Sequence, residues 1–331
     1  MGRFGGKSCS SFRTTGAIRS DDPANERNDM FLTIEAAIEA RLAPPLTLRS
    51  QVTFEPVRGA EPGRDRFFGD QGAYIEQLYL EYTRGSFTFR GGKFGQKLGV
   101  AWDAAPGIWS TDFAEDYELG EQIGIAADFN FGSEAMGRHV VTVGTFFADT
   151  TVLSESAFTN RGRTRRTDGG AGNTEDFSNV SISLEGGDIP ALPGASYHLA
   201  YTNRDSDAAG ETTESGVAGA LRYAFKLGAV GVEPLVEYAT FVDRDGVPGT
   251  DVDYLTTAVR FTCGKWNVAL SRTGRRTRTE GALEADDSLA QATLGYAFES
   301  GINANAGYRH AEESGITTET LGFLVDYTLA F

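Results

Sequence analysis

The chain has 331 residues, enough for one large β domain or two smaller ones, and its 46 Asp+Glu against 30 Lys+Arg leave a formal net charge of −16. That acidity excludes the basic footprint of a nucleic-acid binder, and a mean hydropathy of −0.28 with no run of roughly 20 apolar residues excludes a helical membrane span. Forty-one Gly and 22 Phe beside only 3 Met and 2 Cys describe a glycine-punctuated, aromatic-rich β protein. Cys9 and Cys263 fit no metal-ligand spacing and are read as unpaired. Residues 2–11 carry Arg3 and Lys7 but no apolar stretch follows, so no signal peptide is expected at Met1.

Residues 31–42 (FLTIEAAIEARL) separate by parity into an apolar set, Leu32, Ile34, Ala36, Ile38, Ala40 and Leu42, and a mostly polar one. Alanine and glutamate favour a helix, but an unbroken two-residue repeat predicts a strand. Pro44 and Pro45 break it, and 46–55 repeats the alternation, which makes an antiparallel pair. The same grammar recurs around Leu78, Leu80 and Tyr82; Phe87 and Phe89; Ile123 to Phe131; Ile182; Leu199; Leu221; Val236; Val259; and Val268. It is clearest in 320–331, where Leu321, Phe323, Val325, Tyr327, Leu329 and Phe331 share one parity.

Roughly fifteen strands are legible this way. A barrel closed from a single chain needs an even number, and residues 10–18 (SSFRTTGAI) supply a candidate first strand, the placement of 1–27 being otherwise open. Connections alternate in length: short near 43–45, 84–85, 132–138, 186–194, 226–231, 263–265 and 299–301, long at 58–72, 94–120, 150–176, 204–213, 243–251, 272–287 and 311–317. Alternation alone also suits a soluble β-sandwich. Two features favour a membrane barrel: Arg49, Arg90, Arg222 and Arg260 lie on the polar faces as in a watered lumen, and apolar faces end in Tyr, Phe or Trp as interfacial girdles do. The expected fold is all-β, a single 1–331 domain forming a transmembrane up-and-down antiparallel β-barrel of about 16 strands.

In this pattern the chain resembles the porins of Gram-negative outer membranes. Phe331 is similar to the C-terminal aromatic signal of such barrels, and residues 89–103 (FRGGKFGQKLGVAWD) resemble the segment in which a porin strand enters its constriction loop. The resemblance implies an outer-membrane channel for small hydrophilic solutes, a homotrimer, and outer-membrane lipid and lipopolysaccharide as surroundings. A porin specific for one solute class and a secreted soluble β-rich binding or structural protein are the alternatives.

By that resemblance 94–120 is the loop folded into the lumen. It carries Asp103, Asp112, Glu115, Asp116 and Glu118, with Glu121 just after it; Arg41, Arg49 and Arg90 on strand faces and Lys93 at its start would stand opposite, setting a transverse field across the pore. Arg161, Arg163, Arg165 and Arg166, and Arg272, Arg275, Arg276 and Arg278, fall in expected external loops where lipopolysaccharide phosphates could meet them. Gly91, Gly92, Gly95 and Gly99 match no phosphate-binding motif. His198 shares a lumen face with Ser196 and Thr202 but no nucleophile motif accompanies it, so no enzyme is expected. No cofactor is expected either; loop carboxylates could hold Ca2+, but no Ca2+-loop signature is present.

Overall fold

The computed structural model describes residues 4–331. Sixteen strands build the wall: β1 (Phe4–Ser20), β2 (Asn28–Ala43), β3 (Leu46–Pro56), β4 (Gln71–Arg84), β5 (Phe87–Gln96), β6 (Leu119–Ser133), β7 (Gly137–Ala148), β8 (Asn179–Gly187), β9 (Ala195–Arg204), β10 (Glu214–Tyr223, continued by Phe225–Leu227), β11 (Val230–Val242), β12 (Thr250–Cys263), β13 (Trp266–Thr279), β14 (Ala285–Ala297), β15 (Ile302–Glu313) and β16 (Ile316–Ala330). Each pairs antiparallel with its neighbour in sequence, and β1 pairs with β16 from Lys7↔Ala330 to Ser20↔Thr318, closing the sheet. The barrel read from the sequence is therefore the barrel formed. Residues 10–18 lie inside β1, which runs further in both directions.

The two rims differ as expected. One has turns as short as Gly264–Lys265, where Gly264 takes a φ of +60° in open space, so conformation rather than room keeps it a glycine. The other carries 21–27, 57–70, 97–118, 149–178, 205–213 and 243–249. Two expected loops are corrected. The span 272–287 shrinks to 280–284, because Arg275, Arg276 and Arg278 extend β13 as strand residues bonded to Asp287 (2.7 Å), Asp286 (2.8 Å) and Asp253 (2.7 Å) on adjacent strands. Opposite charges across neighbouring strands hold a sheet where bare arginines would fray it. The span 311–317 is a two-residue turn, Ser314–Gly315, with Gly315 at φ +77°.

Parity now has an address. Leu80, Ile125, Leu199, Leu221, Leu255, Leu270, Leu294 and Leu321 are each about half exposed and form one apolar belt around the outside. Water does not tolerate a patch of that extent, and hydrocarbon requires it. Toward the short-turn rim the belt ends in aromatic pairs, among them Phe87–Phe129 (centroids 5.0 Å apart), Tyr223–Phe225 (5.4 Å) and Trp266–Tyr296 (4.7 Å).

One stretch of wall is irregular. β5 accompanies β4 only from Phe87↔Arg84 to Lys93↔Leu78, since the chain leaves the sheet after Gln96. The upper part of β4 would be an open edge, but Ala157–Phe158 folds back and pairs with Gly72 and Ala73. Lys93 anchors this patch. It shares the outer face of the wall with Ile123, is fully buried, and places Nζ 2.7 Å from Asp149, 2.7 Å from Glu121 and 2.8 Å from the Leu153 carbonyl. Arg161 completes it by bonding Glu121 (2.9 Å) with its guanidinium 3.9 Å above the Tyr74 ring. Lys93→Ala strands the buried Asp149 carboxylate and is expected to cost roughly 3–5 kcal/mol in urea unfolding of the detergent-folded barrel, most of it recovered in Lys93→Ala/Asp149→Ala. Equal midpoints for wild type and Lys93→Ala would show that the cluster holds nothing.

Candidate functional site

The segment 97–118 has its own hydrophobic side. Leu98, Ala101, Ala105, Ala114 and Tyr117 are buried against Ala200, Ala218, Leu235, Ala239, Phe241 and Tyr254 of β9–β12, while Ile108, Trp109 and Phe113 pack on Leu289, Ala311 and Leu324 of β14–β16. These wall residues lie on the inner parity, so the loop's apolar side meets small and apolar side chains there, set among polar ones such as Glu237, Thr256 and Gln291. The fit is close: a Cβ on Gly322 would stand 2.4 Å from the Trp109 ring, and one on Gly307 3.0 Å from it. The loop enters the barrel because its apolar side finds there the burial that water above the rim denies it.

Polar contacts fix its course. The buried Glu237 carboxylate accepts from the backbone of Val100 (2.5 Å) and Ala101 (3.0 Å) and from the Tyr117 hydroxyl (2.6 Å), tying the ascending and returning limbs to one point of β11. Gln291 exchanges hydrogen bonds with Ile108 N and the Pro106 carbonyl. At the tip Asp112 pairs with Arg309 (2.9 Å), with Arg13 at 4.0 Å, and Arg13 also donates to the Ile108 carbonyl. Asp116 meets Arg275 at 2.8 Å and the Tyr254 hydroxyl at 3.1 Å.

What stays open is the space between the loop and β2–β6, a cavity of about 390 Å³ lined by Glu35, Glu76, Tyr79, Arg90, Asp103 and Glu118. Among the described residues Glu35, Glu55, Glu76, Asp103, Glu115 and Glu118 make no salt bridge, while Arg49 pairs with Glu39 and Glu81, Arg90 with Asp128 and Lys97 with Glu185; Lys7, on the inner parity of β1, makes no salt bridge and its charge reaches Glu35. Glu118 is pushed up to about 7 by burial first and then by the charges of Glu76, Glu115, Asp103 and Glu121.

The ten residues singled out from the sequence thus divide. Asp103, Glu115 and Glu118 are unpaired on the loop, with Asp103 and Glu118 lining the open cavity; Asp112 and Asp116 are spent on anchoring it. Arg49 and Arg90 face the lumen, each neutralised. Arg41 lies beside the short turn opposite Thr47, and Lys93 is spent in the ion cluster with Glu121, which also lines the open cavity. Glu35, Glu55 and Glu76 on the wall, and the anchors Glu237, Gln291, Arg13 and Arg309, were not among the residues singled out, and Arg275 was expected in an external loop. Their signal was inward parity, which alternation supplies for every strand but ranks for none. His139 bonds the Tyr197 hydroxyl and the Met136 carbonyl, and among the described residues no serine or threonine hydroxyl bonds any histidine.

No family model and no curated protein sequence matches the chain. Solved structures do. Pseudomonas putida OprB aligns at TM-score 0.63 with 11% identity, covering 99% of this chain and 94% of its own. The outer-membrane channel DcaP of Acinetobacter baumannii aligns at 0.61 with 12% identity over 99% and 97%, and Vibrio cholerae OmpT, solved in a trimer form, at 0.56 with 10% identity over 99% of each chain. At such identities the likeness is one of fold: the chain has the barrel of outer-membrane porins and channels, and its apolar outer wall matches that membrane.

Two outcomes follow from this geometry. Glu237→Ala leaves two backbone N–H groups and the Tyr117 hydroxyl without an acceptor, about 1–3 kcal/mol of loop docking; acrylamide should then quench Trp102 and Trp109 more strongly in a Trp266→Phe background, with Glu237→Gln intermediate and unchanged quenching excluding the clamp. The folded chain holds the Glu118 proton more tightly than the unfolded chain does, so this group's contribution to stability falls as pH rises from about 4.5 to about 7. Urea midpoints at pH 5 and pH 8 should converge in Glu118→Gln relative to wild type.

Proposed function

We propose that the chain is a passive outer-membrane channel whose narrowest passage prefers cations, admitting ions and small hydrophilic solutes without chemical turnover. The observation that carries this reading is the imbalance at the eyelet: Glu35, Glu76, Asp103 and Glu118 border the open passage without a salt bridge, while Arg49, Arg90 and Lys97 are each paired. A narrow aqueous passage lined by uncompensated negative charge concentrates cations and repels anions through a low-dielectric wall. The sequence pointed to cations facing carboxylates across the pore; the arrangement favours carboxylates on both sides. A homotrimer is part of the proposal, supported by the trimer form of the similarly folded Vibrio OmpT.

Planar-bilayer recording tests it. Under a KCl gradient the reversal potential should carry the sign of cation preference, and Asp103→Asn/Glu118→Gln should move it toward zero. Lowering the pH from 8 to 6 should move it the same way in wild type and less in Glu118→Gln, since protonation near 7 removes that charge. Absence of steps in conductance, or a protein that stays monodisperse without detergent, ends the channel reading; an unchanged reversal potential in the double variant ends the assignment of the eyelet. Millimolar solute leaving the current unblocked supports a general pore over one specific for a single solute.

A further inference from the structure

We propose that a second lumen cavity, beneath the constriction loop on its short-turn side, is a binding site for small oxyanions, with Arg222 as the principal contact. The cavity encloses about 450 Å³ and is roofed by Val100 of the loop. Its floor is two rows of inward side chains set by strand register. One row reads Val140, Glu185, His198, Ala220 across β7–β10. The next, one step nearer the short turns, has Arg138 beside Gly187 and Ser196 beside Arg222. Gly187 joins the halves of this row, since a Cβ there would stand 3.5 Å from the Ser196 Cβ. Gly187 and Ala220 make the floor concave, and the guanidiniums of Arg138 and Arg222 rise at its two ends. Three strand spacings separate those ends by roughly 14 Å; Arg138 is held at its own end by Asp188, so Arg222 is the guanidinium left to reach a ligand.

Charge assigns the ligand class. Lys97 is compensated by Glu185 at 3.3 Å and Arg138 by Asp188 at 2.6 Å. Arg222 makes no ion pair or hydrogen bond among the described residues, nor does the Ser196 hydroxyl hydrogen-bond any of them, so of the charged groups that line the cavity, Arg138, Glu185, Asp188 and Arg222, only Arg222 is left without a partner. His198 is buried against it with both ring nitrogens lacking a hydrogen-bond partner, the nearest charge being Glu185 at 3.7 Å. A free guanidinium, a free hydroxyl and an unpartnered imidazole at one concave wall are donors to oxygen acceptors, and a carboxylate or a phosphate meets a guanidinium bidentately. Both are reached from the short-turn mouth without crossing the acidic eyelet.

The test is equilibrium binding to the full chain folded in detergent, read by 31P line broadening of inorganic phosphate and by saturation transfer to acetate, neither of which depends on conductance. Wild type should bind at least one probe; mutual displacement assigns the shared site to both, and binding of one alone assigns the site to that class. Arg222→Gln should weaken binding about tenfold or more and Ser196→Ala severalfold, while Arg260→Gln, a lumen arginine 3.9 Å from Glu233 and outside the cavity, should leave it unchanged. The proposal fails if wild type binds neither probe, if Arg222→Gln binds as wild type does, or if Arg260→Gln weakens binding equally. A chain that binds but does not conduct refutes the channel and leaves this site standing.

Discussion

Hydrocarbon accepts no unpaired backbone N–H or C=O, and the whole wall answers to that constraint. Antiparallel neighbours satisfy it along every strand, and the β1–β16 seam satisfies it at the join. The difficulty comes where function demands that the chain leave the wall. When residues 97–118 turn inward, β4 loses its partner over its upper half, and the defect is repaired from the following long connection by Ala157–Phe158 and the Lys93–Asp149–Glu121–Arg161 cluster. A loop in the lumen and a patch on the wall are one structural decision.

The same economy governs the inside. A lumen of this width cannot be filled by wall side chains alone, and the loop fills only part of it, lying along β9–β16 with an apolar underside against alanines, glycines and a few large residues. The remaining passage is bordered by β2–β6, whose inner face holds the glutamates. Polarity in the lumen is therefore divided by sector: a dry seam under the loop, a watered acidic channel beside it, and below the loop a pocket with one free guanidinium.

Much of the fold was legible because a two-residue period leaves few alternatives once strands are long and turns alternate in length. The first strand was harder. Ser8, Ser10, Thr14 and Gly16 on its outer face dilute the apolar signal, and only the demand for an even, closed wall pointed to it. Arg275, Arg276 and Arg278 resembled a loop because strand propensity ignores partners; Asp253, Asp286 and Asp287 make those arginines strand residues, and these lie on other strands. The site was legible only in outline. An acidic loop near residue 100 was readable from its composition, but which carboxylates anchor and which face water depends on arginines 159 to 197 residues away, as Asp116–Arg275 and Asp112–Arg309 show. Lys93 was expected at the start of the constriction loop; it lies within β5 instead, covered by the segment that carries Asp149 and Leu153, which its neighbours in sequence do not reveal.

The double attachment at Glu237 has a consequence for how a barrel built this way changes over generations. Because Glu237 gathers both limbs at the neck, and Gln291, Arg309 and Arg275 hold Ile108, Asp112 and Asp116, the chain between Ala101 and Tyr117 is a closed ring fixed to the wall around its anchored side. Residues on the open side of the ring, Asp103 and Glu115 among them, can be exchanged without moving it, so charge and calibre are separate variables. Substitutions on the ring can alter the charge beside the open cavity and leave the shape of the cavity unaltered.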